Sequence, residues 1–180
     1  MYALGVTRDD AAMAEHSVPA DGAAIGDVPE SERARLASAW AAAHYFVTLG
    51  RRDWLFCTGL TAPEIERQLM ADRYLFITAW NPPPGQTPRA HNEAAQARLE
   101  ARVHALGLTL HPALGCDHRG GMAEYGCLVL DATLAQADAL ARAFGQGGTL
   151  CWNAGQPVRL RMMWPRPAGA DDHPHTEWVG

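Results

Sequence analysis

Polar and apolar positions divide this chain into short strands and helices that follow an unpatterned start. Residues 1–28 are rich in Ala, Gly and Asp with single prolines and hold neither a helical nor a strand period, which predicts a mobile leader. After Ser31, the residues Leu36, Trp40 and Ala43 recur at helical spacing and predict a first amphipathic helix that turns Trp40 inward. Residues 45–49 and 54–57 are β-rich, and Gly50, Arg51, Arg52 and Asp53 between them have the composition of a hairpin connection. Thr61 and Glu64, with Pro63 between them, spell a capping box that predicts a short helix to about Ala71.

Residues 74–80 are apolar on both alternating faces, the pattern of a central strand covered on each side. Asn81, three prolines and Gly85 end it, because a residue preceding proline is driven out of the helical conformation. Pro88 then opens a helix whose stripe of Ala95, Leu99, Val103 and Leu106 is closed by Gly107. Residues 108–114 alternate as a strand, 115–121 read as a loop, and 125–130 form a second buried strand. Thr133 and Gln136 make another capping box, opening a helix with Leu134, Ala137, Ala141 and Phe144 on one face. Strands at 149–152 and 157–163 flank a turn at Asn153, Ala154 and Gly155. The order β-α-β-β-α-β-β predicts an α/β (α+β) fold: a ferredoxin-like split β-α-β layer extended by the N-terminal helix and hairpin. Residues 29–164 make the single domain and 165–180 a tail.

With 180 residues, 48% of them hydrophobic and 19% charged, the chain supports one core. A formal charge of −5 removes the broad attraction that drives phosphate-backbone binding, so nucleic acid is an unlikely partner. Arg51, Arg52, Arg159 and Arg161 are expected to solvate a turn and a strand face. There is no run of about eighteen apolar residues. The first ten residues carry Asp9 and Asp10 and lack a basic patch leading into an apolar segment. Both features favour a cytoplasmic protein with no membrane partner. Cys57, Cys116, Cys127 and Cys151 contain no C-x-x-C pair and are expected as free thiols; a Cys127–Cys151 bridge is open only if their strands are neighbours.

Candidate chemistry gathers at one end of the expected sheet. Asn81 stands at the carboxyl end of the central strand, where open α/β sheets place ligands, and Asn92 lies within about a turn of the next helix start. The two asparagines read either as holding a carboxylate or phosphate, or as tying down the proline-rich turn. The loop from Gly115 to Glu124 concentrates a thiol, carboxylates, imidazole and guanidinium between two strands. Glu124, at the mouth of a buried strand, is the candidate general acid or base; its competing reading is an ion partner of Arg98 or Arg119. Cys116, Asp117 and His118 are adjacent, so their side chains diverge and a shared metal is disfavoured. Gln146, after Phe144 and Gly145, reaches toward the same mouth or caps the helix. His173 and His175, among Asp171, Asp172 and Glu177, form a weak metal-binding tract expected to be solvent-exposed. Nucleophile-elbow, P-loop, dinucleotide and H-E-x-x-H motifs are missing.

Ile77, Thr78, Ala79, Trp80, Asn81 and Pro82, then Asn92 and Arg98, then Gly115 with Glu124, then Phe144, Gly145 and Gln146 together resemble a bacterial family catalogued as domain of unknown function 3293. The resemblance covers roughly residues 40–163. Met122 and Ala123 depart from it where the family often has Trp. It implies a small bacterial cytoplasmic protein and brings no activity or catalytic residue. The residues themselves favour a pocket for a small polar or anionic metabolite, lined by Asn81, Asn92, Arg98, Glu124 and Gln146. Should it catalyse, Glu124 transfers the proton, Arg98 anchors an anion and the asparagines position the substrate, with no metal or cofactor. The competing reading is a non-catalytic protein-interaction module using the edge at 157–163 or exposed helix faces; nucleic-acid binding is the weakest.

Overall fold

The run of apolar residues around Leu75 lies at the heart of an eight-stranded sheet. The structure, a computed structural model, describes residues 25 and 27–180. In chain order the elements are α1 (Glu30–Ala41), β1 (His44–Leu49), β2 (Arg52–Phe56), α2 (Pro63–Leu69), β3 (Arg73–Thr78), α3 (Arg89–Ala105), β4 (Leu110–Cys116), β5 (Glu124–Leu130), α4 (Leu134–Ala143), β6 (Gly148–Asn153), β7 (Arg159–Met162) and β8 (Thr176–Trp178). The strands are ordered β2-β1-β4-β5-β3-β6-β7-β8, and each neighbouring pair is antiparallel except β7 with β8. The molecule is a mixed α/β fold with helices on both faces of this sheet.

Successive side chains on a strand point to opposite faces, and β3 uses both. Tyr74 and Phe76 enter one core with Tyr45, Phe56, Leu128, Leu150 and Trp152, packed against Ala37 of α1 and Ile65 of α2. Leu75 and Ile77 enter the other with Cys127 and Val129, packed against Leu99 and Val103 of α3 and Ala137 and Leu140 of α4. Two cores back to back explain why β3 carries no polar stripe.

The expected leader lies outside the described residues except for Ile25, Asp27 and Val28, and Val28 is fully buried. α1 begins at Glu30 behind Pro29, with no side-chain cap from Ser31, and Trp40 is half-buried, stacked on Trp164 with ring centroids 6.3 Å apart. The hairpin forms with a tighter connection than its composition suggested, since Leu49 pairs with Arg52 and leaves only Gly50 and Arg51 in the turn. Thr61 does not cap α2. That helix starts at Pro63 with Ala62 in the cap position, one residue past Thr61, and Glu64 faces Arg67 (3.5 Å) instead of reaching back; Glu66 accepts from the Trp152 indole nitrogen (3.1 Å) and the Gly155 amide (2.9 Å). Thr133 does cap α4: Gln136 N donates to Thr133 Oγ1 (3.2 Å) while Thr133 N donates to Gln136 Oε1 (2.9 Å).

β3 lies between β5 and β6, pairing Ile77 with Cys127 and Leu75 with Cys151, so those two cysteines are one strand too far apart to bridge and all four thiols are free. The expected C-terminal tail carries β8. Arg161, expected to face solvent, is buried beneath it: Nε and Nη2 donate to Asp138 of α4 at 2.7 and 2.9 Å, and Nη1 is 2.9 Å from Glu177 of β8. His173 and His175 are half-buried rather than free, with His173 Nε2 3.1 Å from Ser38 Oγ and the His175 ring seated over Gly59. Among the described residues no helix is long and apolar enough to cross a membrane.

The two Thr-x-x-(Glu/Gln) motifs therefore separate by experiment. Thr133→Ala removes a formed capping box and is expected to lower stability by about 1 kcal/mol, while Thr61→Ala stays within about 0.5 kcal/mol of the parent, both read by urea unfolding.

Candidate functional site

The site begins where β3 leaves the sheet. Backbone amides and carbonyls that quit a strand ladder need other partners when they are buried. Side-chain amides supply most of them here. Ala79 N donates to Gln96 Oε1 (3.1 Å), Trp80 N to Thr78 Oγ1 (3.0 Å) and Asn81 N to Asn92 Oδ1 (2.9 Å), while Gln146 Nε2 donates to Trp80 O (3.0 Å). Asn92, Gln96 and Gln146 are all buried. Asn92 and Gln96 stand four apart, hence on one face of α3, and that face is continuous with Leu99 and Val103. Asn81 itself takes the left-handed conformation at φ 45° rather than an extended one, a conformation Asn tolerates better than most residues.

That conformation aims the Asn81 side chain at three segments. Its Oδ1 accepts from Thr87 N (3.0 Å) and Asn92 Nδ2 (2.9 Å), and its Nδ2 donates to Glu124 Oε1 (2.8 Å). A backbone N–H can only donate, so the oxygen must face Thr87 and the amide nitrogen must face Glu124. Asn92 Nδ2 also donates to Thr87 O (3.0 Å), closing the loop between β3 and α3 on itself. Glu124 is the first residue of β5 and sits opposite Gly115 of β4. Burial pushes its carboxyl above the ordinary glutamate value, against the opposing pull of the Asn81 hydrogen bond. Its Oε2 accepts no hydrogen bond among the described residues.

Glu124 and Met122 line two hollows. One, of about 170 Å³, lies between α1 and the sheet, walled by Trp40, Tyr45, Phe76 and Leu150 with Gln146 and Thr149. The other, of about 400 Å³, is a polar cleft walled by Trp80, Asn81, Thr87, Arg89, Asn92 and Tyr125. Asn81, Asn92 and Glu124 thus meet in one hydrogen-bonded cluster, and Gln146 joins Glu124 across the smaller hollow. Arg98 is not brought to them: six residues beyond Asn92 it is about 120° round the helix, exposed and in neither hollow. Glu124 pairs with Asn81 and not with Arg98 or Arg119. Asp117 closes the β4–β5 turn by accepting from the amides of Arg119 (2.9 Å) and Gly121 (2.7 Å), which holds its carboxyl below the usual range.

Burial raises every thiol here, Cys151 to about 11 and Cys127 to about 12, so none is poised as a nucleophile. No group of three or more His, Cys, Asp or Glu among the described residues is placed to hold a metal ion. Thr78, Thr87 and Gln96 complete the cluster and were not singled out from sequence. Gln96 carried a usable signal, a second amide one turn beyond Asn92 on the apolar face. The two threonines carried none.

The raised Glu124 value has a defined effect on stability. As pH climbs past the ordinary glutamate value of about 4.3 and through the raised folded value, the unfolded chain has released its proton while the folded chain still holds it, so this group's stabilising share is lost across that window. Glu124→Gln is expected to abolish that component: the variant gains on the parent in urea midpoints as pH rises above about 4.3. Parallel pH profiles would contradict a proton-retaining Glu124.

No curated protein and no solved structure matches the chain. Residues 77–148, a span that takes in Asn81, Asn92, Glu124 and Gln146, match the model of a family described as "Protein of unknown function (DUF3293)". The matched stretch runs from the end of β3 to the first residue of β6, so the part of the chain that builds this cluster is the part similar to that family.

Proposed function

We propose that this protein binds a small polar metabolite against Glu124, and that Glu124 moves a proton to or from it. One observation carries the reading: a half-buried carboxyl has one oxygen fixed by Asn81 and the other unpartnered among the described residues, on a wall shared by two hollows. An acid whose proton is held above the ordinary carboxylate range is better matched to transfer near neutral pH than an exposed one. Asn81 positions the carboxyl, Asn92 fixes Asn81, and Gln146 lines the hollow. Arg98 drops out as an anchor because it reaches neither space. In the same reading β3, β4, β5 and β6 with α3 and α4 form a ferredoxin-like layer, supported by the order β4-β5-β3-β6 and its antiparallel pairings.

Thermal-shift screening against amino acids, nucleotides and organic acids tests it. A ligand at a hundred times its Kd adds about 2.7 kcal/mol, which for a domain of this size is a rise of roughly 5–10 °C. The expected result is such a shift for the parent and its loss in Glu124→Gln, which remains folded. A ligand that stabilises parent and variant equally would remove Glu124 from the site.

A further inference from the structure

The smaller hollow states the chemistry of its occupant through the groups left unpartnered in its wall. Its sides are aromatic and aliphatic: Trp40 of α1, Tyr45, Phe76 and Leu150. Three of the donors around it are already committed. Tyr45 OH donates to Trp40 O (2.9 Å), Thr78 Oγ1 donates to Tyr125 O (2.6 Å), and the Arg35 guanidinium is held by both oxygens of Glu32 at 2.7 and 2.6 Å.

Two side-chain acceptors are open beside them. Gln146 is 4% exposed, and because its partner Trp80 O can only accept, the nitrogen must face Trp80 and the side-chain oxygen must be the end left over. That Oε1 accepts no hydrogen bond among the described residues, and neither does Glu124 Oε2. Neither oxygen is sealed from the hollow, so both are open to a donor that enters it. The carboxylates of Asp117 and Glu124 border the space, and the one guanidinium beside it is already neutralised.

From this we infer that the hollow binds a small amine: a protonated nitrogen donating to Glu124 and Gln146, carried on a single aromatic ring or branched aliphatic body lying against Trp40, Tyr45 and Phe76. The inference rests on the proposed role of Glu124 and names the ligand class for it. The volume fits, since an apolar cavity of about 150 Å³ accepts benzene and this one measures about 170 Å³. The ring faces add a second attraction that anions lack, because a cation over an aromatic face gains from its quadrupole.

Three probes of matched size separate the alternatives: benzylamine, benzyl alcohol and benzoate, titrated against nitrogen-15-labelled full-length protein while the Gln146 side-chain amide and the Glu124 backbone amide are followed by NMR. Benzylamine is expected to move both signals and to bind at least tenfold more tightly than either isostere. Glu124→Gln is expected to weaken it at least tenfold. Ala39→Trp, which places a large ring into the hollow from the exposed side of α1, is expected to abolish binding and guards against a misfolded Glu124 variant. Equal or tighter binding of benzyl alcohol or benzoate, still lost in Glu124→Gln, would overturn the amine assignment while leaving the site in place. If none of the three moves either signal in the parent protein, the amine assignment and the site fall together.

Discussion

The hydrogen bonding of three residues, Ala79, Trp80 and Asn81, governs the rest of the site. They leave the sheet from a strand with cores on both sides, and Ala79 and Trp80 are buried, so their peptide groups need partners from the protein. The fold answers with side-chain amides from two helical segments: Gln96 and Asn92 from α3, and Gln146 just beyond α4. Each amide both donates and accepts, so meeting the backbone with one end leaves the other end to act on something else. Asn92 uses its second end on Asn81 and Thr87, Asn81 uses its own on Glu124, and Gln146, which lines the hollow, has an oxygen with no partner among the described residues. The residues proposed for ligand recognition are thus the same ones that let the strand end where it does.

That dual role sets the electrostatics. A fully exposed carboxyl would hydrate and titrate normally, whereas Glu124 is half-buried and its one hydrogen bond among the described residues comes from the neutral amide of Asn81. Contrast Asp138, which is also partly buried but faces Arg161 through two short bonds and is held below the ordinary range. The molecule places its strong ion pairing at the β7–β8 edge, where it fastens the C-terminal segment, and leaves the central carboxyl without a cation. Ion pairs that lock structure and a carboxyl reserved for chemistry make opposite demands on their surroundings.

Much of this was legible in the sequence where a pattern is local and repeated. The double-sided run at 74–80, the Leu99 and Val103 stripe and the Thr133 capping box all carry their own period or motif, and each became the expected element. Thr61 carries the same motif as Thr133 and does not cap, because α2 starts one residue later, with Ala62 in the cap position and Glu64 turned to Arg67. β8 is three residues long, too short for any period, and is fixed by Arg161 through a contact sixteen residues away in sequence. Asn81, Asn92 and Glu124 were found by their places at element ends. The stripe itself already put Arg98 beside Leu99 and off the buried face, so its exclusion was readable from spacing alone. The hollow under α1 has no local signature, since it arises only when Trp40, Tyr45, Phe76 and Leu150 are brought together from four elements.

The central claim is that Glu124 is a half-buried acid whose pKa is raised by desolvation and opposed by the Asn81 hydrogen bond. It is tested most directly by titrating the Glu124 side-chain carboxyl carbon by NMR in the parent and in Asn81→Ala. A midpoint above the ordinary glutamate value of about 4.3, moving higher still when the Asn81 amide is removed, is the expected result. A midpoint at or below that value, or one indifferent to Asn81, would contradict the account.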